Sequence, residues 1–204
     1  MKKKMKLFAL VAMIAIMILP TAAFALSGGS PGLSDYRYET GNAQRARDYR
    51  IAFGDEPYLE GNSIWTVYSA PDLNAVRGAN GKASLATDGD VSTGGWSGSW
   101  LMVRYSKSNG GFRVGWVPKQ EINRVIKRTK SCNFAYWTVT VGKNCTLTDD
   151  PLYESEALAY ASSGETLTYL GYYQYGNGRE YAYVQGDLNG KPVCGFIPFE
   201  AIAW

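Results

Sequence analysis

The chain has 204 residues and no histidine, which excludes Ser-His-Asp triads, Cys-His peptidase chemistry and His-ligated zinc together. Its 23 glycines, 15 tyrosines and 6 tryptophans, with few long apolar helical stretches, point to short strands joined by tight turns. The net charge of +3 rests on Lys2, Lys3, Lys4 and Lys6; residues 26–204 carry 17 basic against 18 acidic side chains, so the basic footprint of a nucleic-acid binder is absent.

The chain opens with MKKKMK, continues through 13 apolar residues from Leu7 to Leu19, and leaves through Ala23-Phe-Ala25. A basic stretch, an apolar stretch and a small-x-small exit, in that order, predict a signal peptide over residues 1–25. The apolar run falls short of the roughly 20 residues a spanning helix needs, and no later segment is apolar enough, so no stable membrane span is expected after cleavage. A secreted or cell-surface protein follows.

Residues 26–62 form an N-terminal arm. Gly28 to Gly32 is flexible or turn-forming, and Asn42 to Phe53 admits a short helix with Tyr49 and Phe53 on one side. That helix docks on the unit that follows it, or the segment is a strand-like arm or disordered.

Beyond the arm the sequence repeats. Pro71 pairs with Pro151, Gly115 with Gly195, Trp116 with Phe196, Pro118 with Pro198 and Ile122 with Ile202, each displaced by 80 residues. One offset holding at both ends of the unit argues for duplication. Ile64 to Tyr68 and Cys145 to Leu147 open the two units as strands, and the prolines that follow end them. Asp88-Gly89 and Ser163-Gly164 mark turns, Trp100 to Tyr105 and Tyr181 to Val184 read as central strands, and Ser108 to Gly111 and Asn189-Gly190 supply hairpins. Five or six short strands in about 60 residues bury both sheet faces by curling into a small barrel, so the fold class is all-β with two tandem small barrels. The first barrel and a basic connector (Asn123 to Lys130) occupy 63–130, and the second barrel 131–204. Phe134 to Val141 is a strand that either extends the second barrel or bridges the two units. Residues 26–130 carry 14 basic and 10 acidic side chains, +4, and residues 131–204 carry 3 and 8, −5.

Ala70-Pro71, Arg77-Gly78, Gly81 to Ser84, Gly89, the Trp100 strand and Arg113-Val-Gly-Trp-Val-Pro118 resemble the bacterial SH3-like (SH3b) domains of exported Gram-positive proteins, and Asp150-Pro151, Gly164, Tyr181 to Val184 and Gly195-Phe-Ile-Pro198 repeat the likeness. It covers roughly 63–125 and 143–203. The second unit lacks a counterpart to Arg77-Gly78 and to Lys82 to Ser84. The resemblance implies compact barrels that accompany cell-wall hydrolases and bind peptidoglycan.

Aromatic side chains suit shallow recognition of sugars or extended peptides. Tyr68, Arg77, Trp96, Trp100 and Tyr105 are the candidates in the first barrel, with Trp96 in an expected loop, Thr93 to Gly98, and Arg77 offering its planar fork to a carboxylate or to a nearby aspartate. Trp100 and Trp116 read as core. Tyr172, Tyr173 and Tyr175, bounded by Gly171 and Gly176, are the candidates in the second, on an expected loop or hairpin end. Three thiols, Cys132, Cys145 and Cys194, lie in an expected oxidising compartment. A Cys145–Cys194 disulfide is favoured because the equivalent positions, Trp65 and Val114, are both apolar strand positions, with Cys132–Cys145 as the other option. Asp149-Asp150, and Asp88 with Asp90, sit in turn-like sequence where Asp is favoured for backbone bonding, so they make a poor acid–base pair. The expectation is a non-enzymatic extracellular module without cofactor or metal, binding cell-wall peptidoglycan through its peptide or glycan part; the alternative is a structural adapter for a surface or secreted protein.

Overall fold

The computed structural model describes residues 41–54, 63–77, 83–87, 90–107, 111–122, 129–151 and 157–204. The expected signal peptide, the Asp88-Gly89 turn, the Ser108 to Gly110 part of the hairpin and most of the basic connector lie outside the described residues. Among them the fold is all-β, apart from one short helix, α1 (41–46), and two 3-10 turns, Lys119–Glu121 and Phe199–Ala201.

The first half contributes β1 (Ile64–Thr66), β2 (Ser84–Ala86), β3 (Val91–Ser97), β4 (Trp100–Ser106) and β5 (Phe112–Pro118). The second contributes β6 (Trp137–Val141), β7 (Cys145–Thr148), β8 (Ala157–Ala161), β9 (Thr166–Gln174), β10 (Glu180–Leu188), β11 (Lys191–Pro198) and β12 (Ile202–Ala203). The pairings between these strands are antiparallel, with β3-β4-β5 and β1-β2 in the first half and the order β12-β6-β9-β10-β11-β7-β8 in the second.

The sequence repeat is a repeat of pairing. Tyr68 bridges Trp116 just as Thr148 opposes Phe196, 80 residues on. Glycine precedes each aromatic because the neighbouring strand crosses there: a Cβ on Gly115 would lie 3.0 Å from the Tyr68 carbonyl oxygen, and one on Gly195 3.1 Å from that of Thr148. Pro118 and Pro198, lacking an N–H for the ladder, end β5 and β11, and each is followed by a 3-10 turn. Asn189 (φ 53°) and Gly190 (φ 78°) make the two-residue β10–β11 hairpin that their sequence requires.

Each half has its own core, built around Trp65, Leu101 and Val117 in the first and Leu147, Tyr169, Val184 and Ile197 in the second. A third buried cluster belongs to both, joining Met102, Val114 and Trp116 to Leu170, Tyr183, Cys194 and Phe196. Hence the central strands are buried on both faces and read as apolar runs, one face toward their own core and the other toward the opposite half.

This seam is reciprocal. Val114 N–H donates to the Asp149 carbonyl at 2.9 Å, and Cys194 N–H to the Ser69 carbonyl at 3.0 Å, the same bond with each residue exchanged for its counterpart 80 positions away. Two straps repeat the exchange. Residues 49–54 bond to Tyr172 of β9 (Ile51 N to Tyr172 O, 2.7 Å; Tyr172 N to Tyr49 O, 2.9 Å) and then reach β3 through Gly54 N to Thr93 O, 3.3 Å. Residues 130–135 bond to Trp96 of β3 (Cys132 N to Trp96 O, 2.7 Å; Trp96 N to Lys130 O, 2.8 Å) and then reach β9 through Ala135 N to Leu170 O, 2.9 Å. Each strap therefore pairs first with the half it does not lead into. The arm helix docks on the second half, not on the unit that follows it, and Phe134 to Val141 both bridges the halves and, as β6, extends the second sheet. Opposite charges also meet here: Arg113 Nε lies 3.3 Å from Asp149 Oδ2, and Lys107 Nζ 3.7 Å from Asp150 Oδ2.

All three cysteines are unbonded. The expected Cys145–Cys194 disulfide is not formed, because Trp65 and Val114, which suggested it, face different clusters. With Thr148 opposite Phe196 in antiparallel register, Cys145 and Cys194 stand about five residues apart along the strands, on the order of 17 Å. A disulfide needs Cα atoms within about 7 Å.

Candidate functional site

An aromatic strip forms where the first half meets the second strap. Tyr68 follows β1, and its ring meets that of Trp100 edge-on at 5.4 Å. Trp100 opens β4 opposite Ser97, whose hydroxyl lies 3.4 Å from the Tyr136 hydroxyl. Tyr136 packs edge-on against Phe134 at 5.9 Å, and Phe134 against the buried Trp116 at 5.9 Å, which bridges back to Tyr68. Arg77 lies over the Tyr68 ring at 5.8 Å and donates from Nη2 to the Ala83 carbonyl at 3.1 Å.

Tyr136 is the unusual member. It is 61% exposed and has φ 52°, a left-handed backbone that a bulky side chain adopts at a cost of about 1–3 kcal/mol. Its neighbours alternate as in a strand: Phe134 packs on the seam, whereas Ala135, Trp137 and Val139 pack on the second core, which leaves Tyr136 on the face away from that core. Tyr68, Trp100, Phe134 and Arg77 are half-buried around it. The strip offers flat apolar faces and hydroxyl and guanidinium donors, which suit CH–π stacking and hydrogen bonding.

Of the residues expected to bind ligand, the fold brings Tyr68 and Arg77 to this strip, together with Trp100. The others lie elsewhere. Trp96 is not in a loop but in β3, half-buried against the first core, with its backbone bonded to the second strap. The glycines that suggested a loop make a bulge at Thr93–Gly95, and Gly95 (φ 129°) admits the strap, since a Cβ there would lie 2.9 Å from both Cys132 N and Lys130 O. Tyr105 is 8% exposed in the first core. Tyr172 and Tyr173 are buried strand residues of β9: Tyr172 donates its hydroxyl to Glu180 Oε1 at 2.7 Å, and Tyr173 packs on Phe53, Phe112 and Phe196. Tyr175 stacks on Phe112 of the first half at 6.0 Å.

Phe134, Ser97 and Tyr136 escaped the sequence reading; the aromatic run of Phe134, Tyr136 and Trp137, too dense for one face of a strand, was the signal for the first and the last. Asp149 and Asp150 are buried in the seam beside Arg113 and Lys107. Among the described residues no group of three or more Cys, Asp and Glu could hold a metal ion, and no helix is long and apolar enough to cross a membrane.

Burial governs the thiols. It pushes Cys132 up to about 12 and Cys194 higher still, so neither is a ready nucleophile. The Tyr183 hydroxyl, wholly buried, is also raised well above its ordinary value by desolvation, and it accepts the Trp116 indole N–H at 3.0 Å. No protein-family model, no curated protein and no solved structure matches the chain.

Proposed function

We propose that the chain is an exported, non-enzymatic binding module of two SH3-like units at the surface of a Gram-positive-type bacterium, and that it takes a peptidoglycan segment, peptide or glycan, along the strip of Tyr68, Trp100, Phe134 and Tyr136 with Arg77 at one end. The observation that carries this reading is Tyr136: an exposed aromatic on strained backbone beside half-buried aromatics is better suited to a ligand than to the fold. Sedimentation with insoluble peptidoglycan tests it. The wild type is expected to bind saturably, Tyr136→Ala to weaken binding by about fivefold or more, the equivalent of about 1 kcal/mol, and Tyr160→Ala, an exposed tyrosine elsewhere, to leave it unchanged. Sedimentation no greater than that of an unrelated protein overturns the reading.

A second reading, a protein-binding adapter, rests on β8. It is an edge strand of the seven-stranded sheet, its sequence Ala-Leu-Ala-Tyr-Ala carries no charge, and Tyr160 is 80% exposed. Under that reading Tyr160→Lys abolishes capture of a surface protein, and peptidoglycan sedimentation is absent from the start.

A further inference from the structure

The second half carries a box built for a guanidinium. Glu180, at the start of β10, is its floor: Arg47 of the arm donates from Nε to Oε1 at 3.0 Å and from Nη2 to Oε2 at 2.7 Å, the planar two-point fork that lysine cannot make. Tyr172 fixes the same carboxylate through its hydroxyl at 2.7 Å. The Arg47 Cζ lies 4.7 Å from the Phe199 ring centroid and 5.8 Å from that of Tyr172. Phe199 is in turn held edge-on by Tyr172 at 5.4 Å and covered by Trp204 at 4.7 Å, whose indole N–H donates to the Phe199 carbonyl at 3.1 Å. Arg47 and Glu180 hold each other charged, the first with a raised and the second with a lowered pKa, their hydrogen bonds being the main cause.

The carboxylate and the ring faces of the box belong to the second half, and the arm supplies the cation and one acceptor of its own, the Ala43 carbonyl, to which Arg47 Nη1 donates at 3.4 Å. The box is also peculiar to that half. Lys119 stands in the first half where Phe199 stands in the second, and Ser99 holds the place of Glu180, since Trp100 pairs with Pro118 as Tyr181 pairs with Pro198. The surrounding charge is right as well, −5 over residues 131–204. About a third of each partner's side chain, 34% for Arg47 and 32% for Glu180, still meets solvent, so the box opens to the surface.

We propose that this box is a recognition site for an arginine-bearing peptide segment of another chain, and that the N-terminal arm fills it as a tethered ligand. The tether sets the gate. A covalently attached segment acts at an effective concentration on the order of millimolar, so an outside segment binds well only when the arm lifts. This assignment does not depend on the wall-binding reading.

The test uses the full chain and two helical alanine–glutamine peptides that differ only in one central residue, arginine or lysine. In Arg47→Ala/Ile51→Asp, which removes the cation and the buried anchor of the strap, the arginine peptide is expected to bind at least about tenfold more tightly than it binds the wild type, and at least about tenfold more tightly than the lysine peptide. Adding Glu180→Gln is expected to abolish that preference. A folded double variant that binds neither peptide, or binds both equally, overturns the proposal. If the double variant does not fold, Arg47→Ala alone is titrated with N-ethylguanidinium: a rise in Tm that disappears with Glu180→Gln supports the site, and no rise, or an equal rise in both, overturns it.

Discussion

Gly171→Ala tests the strap exchange most directly. A methyl group at this position of β9 would lie 2.7 Å from the Tyr49 carbonyl oxygen and 2.9 Å from Ile51 Cγ1. The first of these is backbone and cannot rotate away, so the strap itself must move. Overpacking of this kind costs about 1–3 kcal/mol. Displacement also weakens the two bonds between the strap and Tyr172, at 2.7 and 2.9 Å, each worth about 0.5–1.5 kcal/mol net. If the strap lifts completely, Ile51, 6% exposed, returns to water at a further cost of about 1.5–3 kcal/mol. Partial relaxation makes these terms overlap, and a net loss of about 2–4 kcal/mol is expected. Urea unfolding of Gly171→Ala beside Gly176→Ala measures it, since a methyl group at Gly176 meets nothing within 4 Å and is expected to change stability by less than about 0.5 kcal/mol. Amide exchange at Ile51 and Tyr172 should accelerate in Gly171→Ala. A Gly171→Ala protein as stable as Gly176→Ala, with both amides still protected, would refute the claim that this glycine exists to let the strap approach.

Tyr183→Phe leaves the buried Trp116 indole N–H without its acceptor and is expected to cost about 1–3 kcal/mol in urea unfolding; a change under about 0.5 kcal/mol would show that this bond does not hold the seam. The three thiols, raised by burial, should resist iodoacetamide at pH 8 in the folded protein and react in urea, as read by intact mass, and rapid native modification of Cys132 or Cys194 would contradict their placement. Because Glu180 has a lowered pKa when folded, its contribution is present above the ordinary glutamate value of about 4.3 and is lost as pH falls through the lowered one. Glu180→Gln should therefore reduce stability near neutrality and flatten the fall in stability on the acid side, an effect weakened by salt because the pair is partly exposed; an unchanged acid slope would count against the pair.

Much of this fold is written locally. The Asn189-Gly190 hairpin and the prolines closing β5 and β11 are short-range features, enforced by backbone sterics or by a missing N–H, and the absence of long apolar helical stretches and the 80-residue offset are read from the sequence without any knowledge of contacts. They determine the all-β class and the equivalence of the two halves. What stands against each strand's second face is not local. The run from Leu101 to Val103 says that both faces are buried, but no periodicity distinguishes a neighbour in the same half from one in the other, so Tyr172, Tyr173 and Tyr175 read as a possible ligand surface when they pack on the arm and on the opposite half. Gly95 and Gly171 are similar: in sequence they look like loop residues, and only the arrival of a strap from elsewhere in the chain shows why a side chain is forbidden there. The candidate strip divides along the same line. Tyr68, Trp100 and Arg77 were legible because they lie within one repeat, whereas Phe134 and Tyr136 join them only because the seam draws the second strap across the first half, a long-range contact fixed by mutual burial and not by the residues beside them in the chain.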